Sequence, residues 1–183
     1  MNGHTQTKPM RKKDNNAVSL AGEFAVLSQL ALRGYDANMT LGRTKGVDIL
    51  VSHPGTKKMY RLEVKTKYRT SLKELHVSKV HGTVKGGWMM GKKHESLIDP
   101  FLFYCFVIIS EAKSAFQFYI VPSRVVARYV KEQHEHWLRE KKKERKKVKN
   151  TKMRVFRIGF RGNKYRVTTP LAERYENNWE FQP

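Results

Sequence analysis

The sequence predicts one mixed α/β domain with a central sheet of five or more strands flanked by helices and a basic C-terminal extension. Three observations carry that expectation. The chain has 183 residues, a length that suits one domain with a real core. Short β-rich runs alternate with two long segments of helical period, the pattern of a sheet covered by helices. Hydrophobic residues make up 39% and aromatics 11%, too many for a disordered chain.

Taken in order, residues 1–15 read as a flexible basic arm. From Ala17 to Arg33 the residues Leu20, Phe24, Leu27 and Ala31 recur at helical spacing, with Asn16 or Ser19 placed to cap the start and Gly34 the end. Tyr35–Thr40, Val47–Ser52 and Met59–Thr66 are rich in β-formers and separated by turn residues, so they read as strands. Residues 67–97 contain Gly82, Gly86, Gly87 and Gly91, which break any period, and read as a long loop with one short helix. Phe101–Ser110 and Ala115–Val121 form a hairpin whose first strand is apolar enough for a sheet centre. Ser123 then caps a helix with Val126, Tyr129, Val130 and Trp137 on one side. Met153–Phe160 and Tyr165–Val167 suggest a terminal hairpin around Gly162-Asn163. The division expected is an arm at 1–15, a main domain at 16–138, and a basic helix end with a β-hairpin at 139–183, packed on the same domain.

Charge narrows the function. Lys and Arg number 37 against 16 Asp and Glu, a net +21. Residues 1–13 hold 4 basic and no acidic side chains, residues 57–93 hold 11 and 2, and residues 139–157 also hold 11 and 2. The remainder nets −1, so three basic blocks sit on a near-neutral domain, an arrangement suited to a polyanion touched in several places. The run from Arg139 also reads as a solvated helix face or a nuclear-targeting signal. Cys105 is the single cysteine, which excludes an internal disulfide framework and fits a reducing, cytoplasmic location. The polar N-terminus is unlike a signal peptide, and the longest apolar run, Phe101–Ile109, falls far short of the ~20 residues of a membrane helix.

The chemistry concentrates in Gly46-Val-Asp-Ile-Leu-Val and Tyr60-Arg-Leu-Glu-Val-Lys65. An antiparallel hairpin turning at Gly55 and Thr56 pairs Val47 with Val64, Ile49 with Leu62 and Val51 with Tyr60 on one apolar face. Asp48 then falls opposite Glu63 on the other face, with Lys65 beside them. Opposed carboxylates repel, and a divalent cation between them removes the objection. Arg61 and Lys65 could instead balance the pair as an ordinary charged sheet face. Glu23 lies beside the apolar stripe of the first helix and should point toward the sheet, although a boundary glutamate with its head in solvent fits the same position. Gly22 next to it suggests a close backbone approach.

Gly22-Glu23, Val47-Asp48 and Glu63-Val64-Lys65, in this order, resemble the PD-(D/E)XK nuclease superfamily, with its restriction-endonuclease-like, archaeal Holliday-junction-resolvase-like fold. Val47 stands where that motif has proline. The motifs cover residues 17–66, and the likeness extends less specifically to about 130. The resemblance implies an αβββαβ core and Mg²⁺-dependent hydrolysis of DNA phosphodiester bonds, with Mn²⁺ able to substitute and junction or branched DNA as a candidate substrate. It implies Asp48, Glu63 and the carbonyl of Val64 as metal ligands, Glu23 on a second metal or a metal water, and Lys65 orienting or deprotonating the attacking water. Arg43, Lys45, Lys67, Arg69, Lys92, Lys93, Lys142, Lys143, Arg145 and Lys146 are the expected nucleic-acid contacts. Trp88 reads as core or as a base-stacking residue near His94, and His134 and His136 as surface residues. A homodimer is the expectation for duplex cutting. The competing classes are a non-catalytic nucleic-acid-binding protein of the same fold and a basic RNA-binding protein.

Overall fold

The computed structural model describes residues 14–40, 46–69, 75–78, 82–111, 115–161 and 167–182. Most of the basic arm therefore lies outside the described residues, as do Arg43 and Lys45.

Helix α1 (Asn15–Leu32) is capped by Asp14, whose carboxylate accepts from the N–H of Asn16 at 3.2 Å, rather than by Asn16 or Ser19. Its end matches the expected glycine: Gly34 takes φ +75°, a conformation that costs other residues a Cβ clash. The buried face differs from the one the apolar pattern suggested. Gly22, Val26 and Leu30 face the core, whereas Leu20 is 45% and Phe24 56% exposed. The cause is the closeness of the helix to the sheet, since a Cβ on Gly22 would overlap the side chain of Thr66. Only a glycine can occupy the line of closest approach, and that sets the rotation of the helix.

The first sheet contains β1 (Asp36–Met39), β2 (Ile49–Ser52), β3 (Met59–Arg69), β6 (Leu102–Ser110) and β7 (Ala115–Pro122), in the spatial order β1-β2-β3-β6-β7. All neighbours are antiparallel except β3 and β6, which makes it a mixed five-stranded sheet. Ile49 pairs with Leu62 and Val51 with Tyr60, the register demanded by the apolar pattern. One face, with Ile49, Leu62, Val64, Phe103 and Cys105, packs on Val26 and Leu30 of α1. The other face, with Tyr104, Phe106 and Tyr119, packs on Val126, Tyr129 and Val130 of α2 (Ser123–Lys143). Helices thus flank the sheet on both faces.

Residues 67–97 correct the loop expectation. Strand β3 runs on to Arg69, and β4 (Leu75–Ser78) and β5 (Gly82–Gly91) join β8 (Met153–Arg161) in a second sheet of order β4-β5-β8. Glycine is tolerated in β5 because the ring of Trp88 lies over Gly86, in the space a Cβ would need. Trp88, 4% exposed, then packs on Phe106 of the first sheet. The crossover from β3 to its parallel neighbour β6, a helix in the αβββαβ order, is made among the described residues by β4, β5 and a 3-10 turn at Lys92–Glu95. Of the expected terminal hairpin, the turn at Gly162-Asn163 and Tyr165 lie outside the described residues. β8 pairs with β5, and Val167 lies outside any strand.

Side-chain roles shift as well. Ser123 does not cap α2; its buried hydroxyl donates to the carbonyl of Asp99 at 2.7 Å and accepts from the N–H of Asp99 at 2.9 Å. His134 is buried, stacked on Trp137 and bonded to Asn150 Oδ1 at 2.9 Å, so it is no surface residue. After α3 (Ala172–Tyr175), Trp179 and Phe181 plug the first core, and Tyr35 donates its hydroxyl to the carbonyl of Trp179. Their segment has no periodicity that would have marked them. Among the described residues, no helix is long and apolar enough to cross a membrane.

Candidate active site

The site forms where the β2–β3 pairing ends. The main-chain N–H of Asp48 donates to the carbonyl of Leu62 at 2.8 Å, although Leu62 is already the register partner of Ile49, so the ladder slips by one residue here. Regular pairing therefore stops at Ile49. The carboxylate of Asp48 turns into the gap and accepts from the N–H of Val64 at 2.7 Å, so the expected pairing of Val47 with Val64 is replaced by a side-chain bond. Thr40 holds the other side, its N–H on the carbonyl of Asp48 at 2.9 Å and its hydroxyl on that of Val47 at 2.7 Å. Within a strand the N–H and C=O of one residue point the same way, so the Val64 carbonyl shares the edge with the Asp48 carboxylate.

Glu63 and Lys65 project from β3 on the face opposite α1. Glu63 is 3% exposed, and its Oε1 lies 2.7 Å from Lys65 Nζ. Its other oxygen, Oε2, is buried without a hydrogen-bond partner of good geometry, and His94 Nδ1 stands 3.7 Å away. The parallel register sets Tyr104 beside Glu63, and the Tyr104 hydroxyl lies 2.7 Å from His94 Nδ1. Burial, reinforced by the Glu63 charge, pushes the Tyr104 pKa up, so this phenol keeps its proton. Burial likewise pushes His94 below the ordinary imidazole range, more strongly than Glu63 raises it. Asp48 is raised above the ordinary carboxylate range, because burial outweighs the Val64 N–H and the Lys65 charge.

Glu23 does not join this group. It sits on α1, which packs against the Leu62 and Val64 face, and its Oε1 accepts from Ser19 at 3.1 Å. Lys67 donates to the carbonyl of Gly87 at 3.1 Å and Arg69 to that of Lys85 at 3.0 Å, so both tie β3 to β5. Lys92 and Lys93 are exposed on the 3-10 turn, and Lys93 lies close enough to act on the Asp48 charge. Lys142 and Lys143 occupy the exposed last turn of α2, with Arg145 and Lys146 just beyond. Lys143 pairs with Glu140 and Lys146 with Glu144, both at 3.0 Å.

Sequence reasoning missed Tyr104 and the placement of His94 against Glu63. The parallel pairing that joins Glu63 to Tyr104 spans some forty residues and leaves no local signal.

The donors at the site suit a hard divalent cation. They are two carboxylates and a main-chain carbonyl, with one carboxylate oxygen buried and unpartnered. Among the described residues no three His, Cys, Asp or Glu side chains are grouped to hold a metal by themselves. Such an ion would need further oxygen ligands, such as water, to complete its shell.

No family model matches the chain, and no curated protein matches it in sequence. Among solved structures it is similar to a bacterial homing endonuclease, I-Ssp6803I, with a TM-score of 0.47 and 11% identity over 92% of each chain.

Proposed function

We propose that this protein is a metal-dependent endonuclease that hydrolyses DNA phosphodiester bonds. One observation carries the reading: the carboxylates of Asp48 and Glu63 and the ammonium of Lys65 gather where the β2–β3 ladder breaks, on the edge that exposes the Val64 carbonyl. Asp48, Glu63 and that carbonyl would hold Mg²⁺, with Mn²⁺ as a substitute. Such an ion, when bound, would supply Lewis-acid polarisation of the scissile phosphate and a lowered pKa for a bound water. Lys65 orients the attacking water and offsets charge building on the phosphorus oxygens. Water adds to phosphorus, one P–O ester bond breaks, and the two products are a phosphate monoester end and a hydroxyl end. Asp48 Oδ2 accepts from the Val64 N–H, which holds the carboxylate in place while it would serve as a ligand. The basic blocks at 57–93 and 139–157 track the phosphates on either side.

The test is incubation with Mg²⁺ and labelled linear, forked, four-way and single-stranded DNAs, beside Glu63→Ala. Metal-dependent cleavage that Glu63→Ala loses, with binding retained, is expected, and the preferred substrate shape comes from the same panel. Binding without cleavage in either Mg²⁺ or Mn²⁺ would reassign the protein as a non-catalytic DNA-binding module. A preference for RNA with no metal response would sink the nuclease reading altogether.

A further inference from the structure

Burial alternates along β5 and β8. Val84, Trp88 and Met90 turn inward with Arg154, Phe156 and Ile158, and the residues between them turn outward. The outward set pairs Met89 with Val155 and Gly87 with Arg157, with Lys85 and Met153 next along their strands. Met89 is 60% and Met153 54% exposed, and Lys85, Val155 and Arg157 are half-buried. Each basic side chain lies over a glycine of the neighbouring strand. A Cβ on Gly87 would touch Arg157 Cγ at 3.6 Å, and one on Gly159 would overlap the stem of Lys85. The two glycines let both stems lie across the sheet, which keeps this face shallow. Among the described residues β4 pairs only with 82–84 of β5, so from Lys85 to Gly91 the sheet is a ribbon two strands wide.

The chemistry of the ribbon and its flanks is one-sided. Residues 76–94 contain 4 Lys and Arg, residues 145–172 contain 10, and neither stretch contains an Asp or Glu. An acid-free basic surface selects a polyanion as its occupant. A surface that only followed phosphates would carry Lys and Arg alone, whereas here Met89, Met153 and Val155 stand beside Arg157 and Lys85. That mixture matches base edges, with guanidinium or ammonium on the acceptors of guanine and apolar groups on the thymine methyl.

We propose that the outer face of the β5–β8 ribbon lies in the major groove of duplex DNA and reads its sequence. Arg157 and Lys85 bind base acceptors, and Met89 and Val155 pack on apolar base edges. Two strands about 4.8 Å apart, with their side chains, fit a major groove about 12 Å wide and are too broad for a minor groove of about 6 Å. The A-form major groove of RNA is too deep and narrow for side chains to read, so the duplex is DNA. The ribbon also ends at the candidate site. Lys67 and Arg69 fasten the carbonyls of Gly87 and Lys85 to β3, and the same antiparallel step carries Met89 and Gly91 toward the level of Lys65 and Glu63. His94, three residues past Gly91, stands 3.7 Å from Glu63. A groove seated on the ribbon therefore brings a DNA backbone beside the carboxylates.

Because this rests on the DNA partner of the proposed function and not on cleavage, the test reads binding in EDTA. Selection from a random-sequence duplex library should enrich one motif. Arg157→Lys keeps the charge but lacks the planar fork. It should keep the salt dependence and the affinity for unrelated DNA while losing discrimination at one base pair by about 5- to 150-fold. Met89→Ala, at an exposed position, should leave the melting temperature and the salt dependence unchanged and relax the preference at a neighbouring base pair. No binding, binding with no enriched motif, a motif that neither variant alters, or tighter binding to RNA than to duplex DNA would each overturn the proposal. An enriched motif that both variants relax, in a protein that cuts with neither Mg²⁺ nor Mn²⁺, would uphold it and overturn the nuclease reading alone.

Discussion

The carboxylate of Asp48 accepts a 2.7 Å hydrogen bond from the main-chain N–H of Val64, two residues from the point where β2 and β3 stop pairing. One side chain thus both ends the ladder and stands at the metal-binding edge of the proposed site. The two roles separate by substitution. Asp48→Asn keeps an acceptor for Val64 and should stay within about 0.5 kcal/mol of wild type, while Asp48→Ala should lose about 1–3 kcal/mol. Both should lower Mg²⁺-dependent cleavage by at least about 100-fold, since both lack the charge. Urea unfolding and single-turnover cleavage measure the two effects, and an Asp48→Asn protein cutting at the wild-type rate would remove Asp48 from the site.

The Tyr104 hydroxyl bonds to His94 Nδ1 and Tyr104 stands beside Glu63 in the β3–β6 register, so in the proposed site it would act only through the placing of Glu63. Tyr104→Phe preserves the ring, which stacks on Phe106, and should leave folding nearly intact. Loss of a neighbouring group that helps to position a carboxylate ligand typically weakens metal affinity about 10–100-fold, which is the effect expected if the proposed site holds a metal. Titration of Mn²⁺ by calorimetry reads this without turnover, and equal affinities would make Tyr104 purely structural.

Gly22 faces Thr66 across the closest approach of α1 to β3. Gly22→Ala should therefore destabilise by about 1–3 kcal/mol, against the gain alanine normally brings inside a helix. Thr66→Ala removes the overlap with Oγ1 and the 2.8 Å approach of Cγ2 but leaves Cβ at 2.8 Å. The double variant should recover part of the loss. Strict additivity in the cycle would mean that the helix does not meet the sheet there.

The basic residues divide into two groups. Lys67 and Arg69 donate to β5 carbonyls, and burial lowers the Lys67 pKa. Alanine at either position should cost stability more than nucleic-acid affinity. Lys92, Lys93 and Lys142 are exposed, so alanine there should leave the melting temperature unchanged and reduce the slope of log K against log salt by about 1 for each phosphate no longer neutralised. Fluorescence anisotropy over a salt series distinguishes the groups, and an unchanged slope in Lys92→Ala with Lys93→Ala would exclude the 3-10 turn from the interface.

Where a residue's role follows from its near neighbours, the amino-acid pattern carries it. Alternation in 49–52 and 59–62 selects one register, because a one-residue slip would move Ile49, Val51, Tyr60 and Leu62 into the polar set. The same alternation sends Glu63 and Lys65 to the face opposite Leu62 and Val64, and Gly22 marks a close approach through its lack of a side chain. The five-stranded sheet and its flanking helices were legible for this reason.

What tertiary structure alone decided is whatever depends on distant segments meeting. The stripe Leu20, Phe24, Leu27 and Ala31 has the period of a core face, yet the close approach of Gly22 to Thr66 turns α1 so that Gly22, Val26 and Leu30 are buried and only Leu27 of the stripe packs on the core. Glycines that read as loop become strand β5 because Trp88 needs the space over Gly86 and Phe106 waits beneath it. Glu23 has the right order in the chain but lies across the sheet from Glu63, and Tyr104 and His94 reach Glu63 only through the parallel β3–β6 register and the turn before β6. Periodicity is a property of one element, so the sequence determined the five strands of the first sheet, its flanking helices and the shared face of Glu63 and Lys65. Packing is a property of pairs, and it decided which faces are buried and which groups surround the carboxylates.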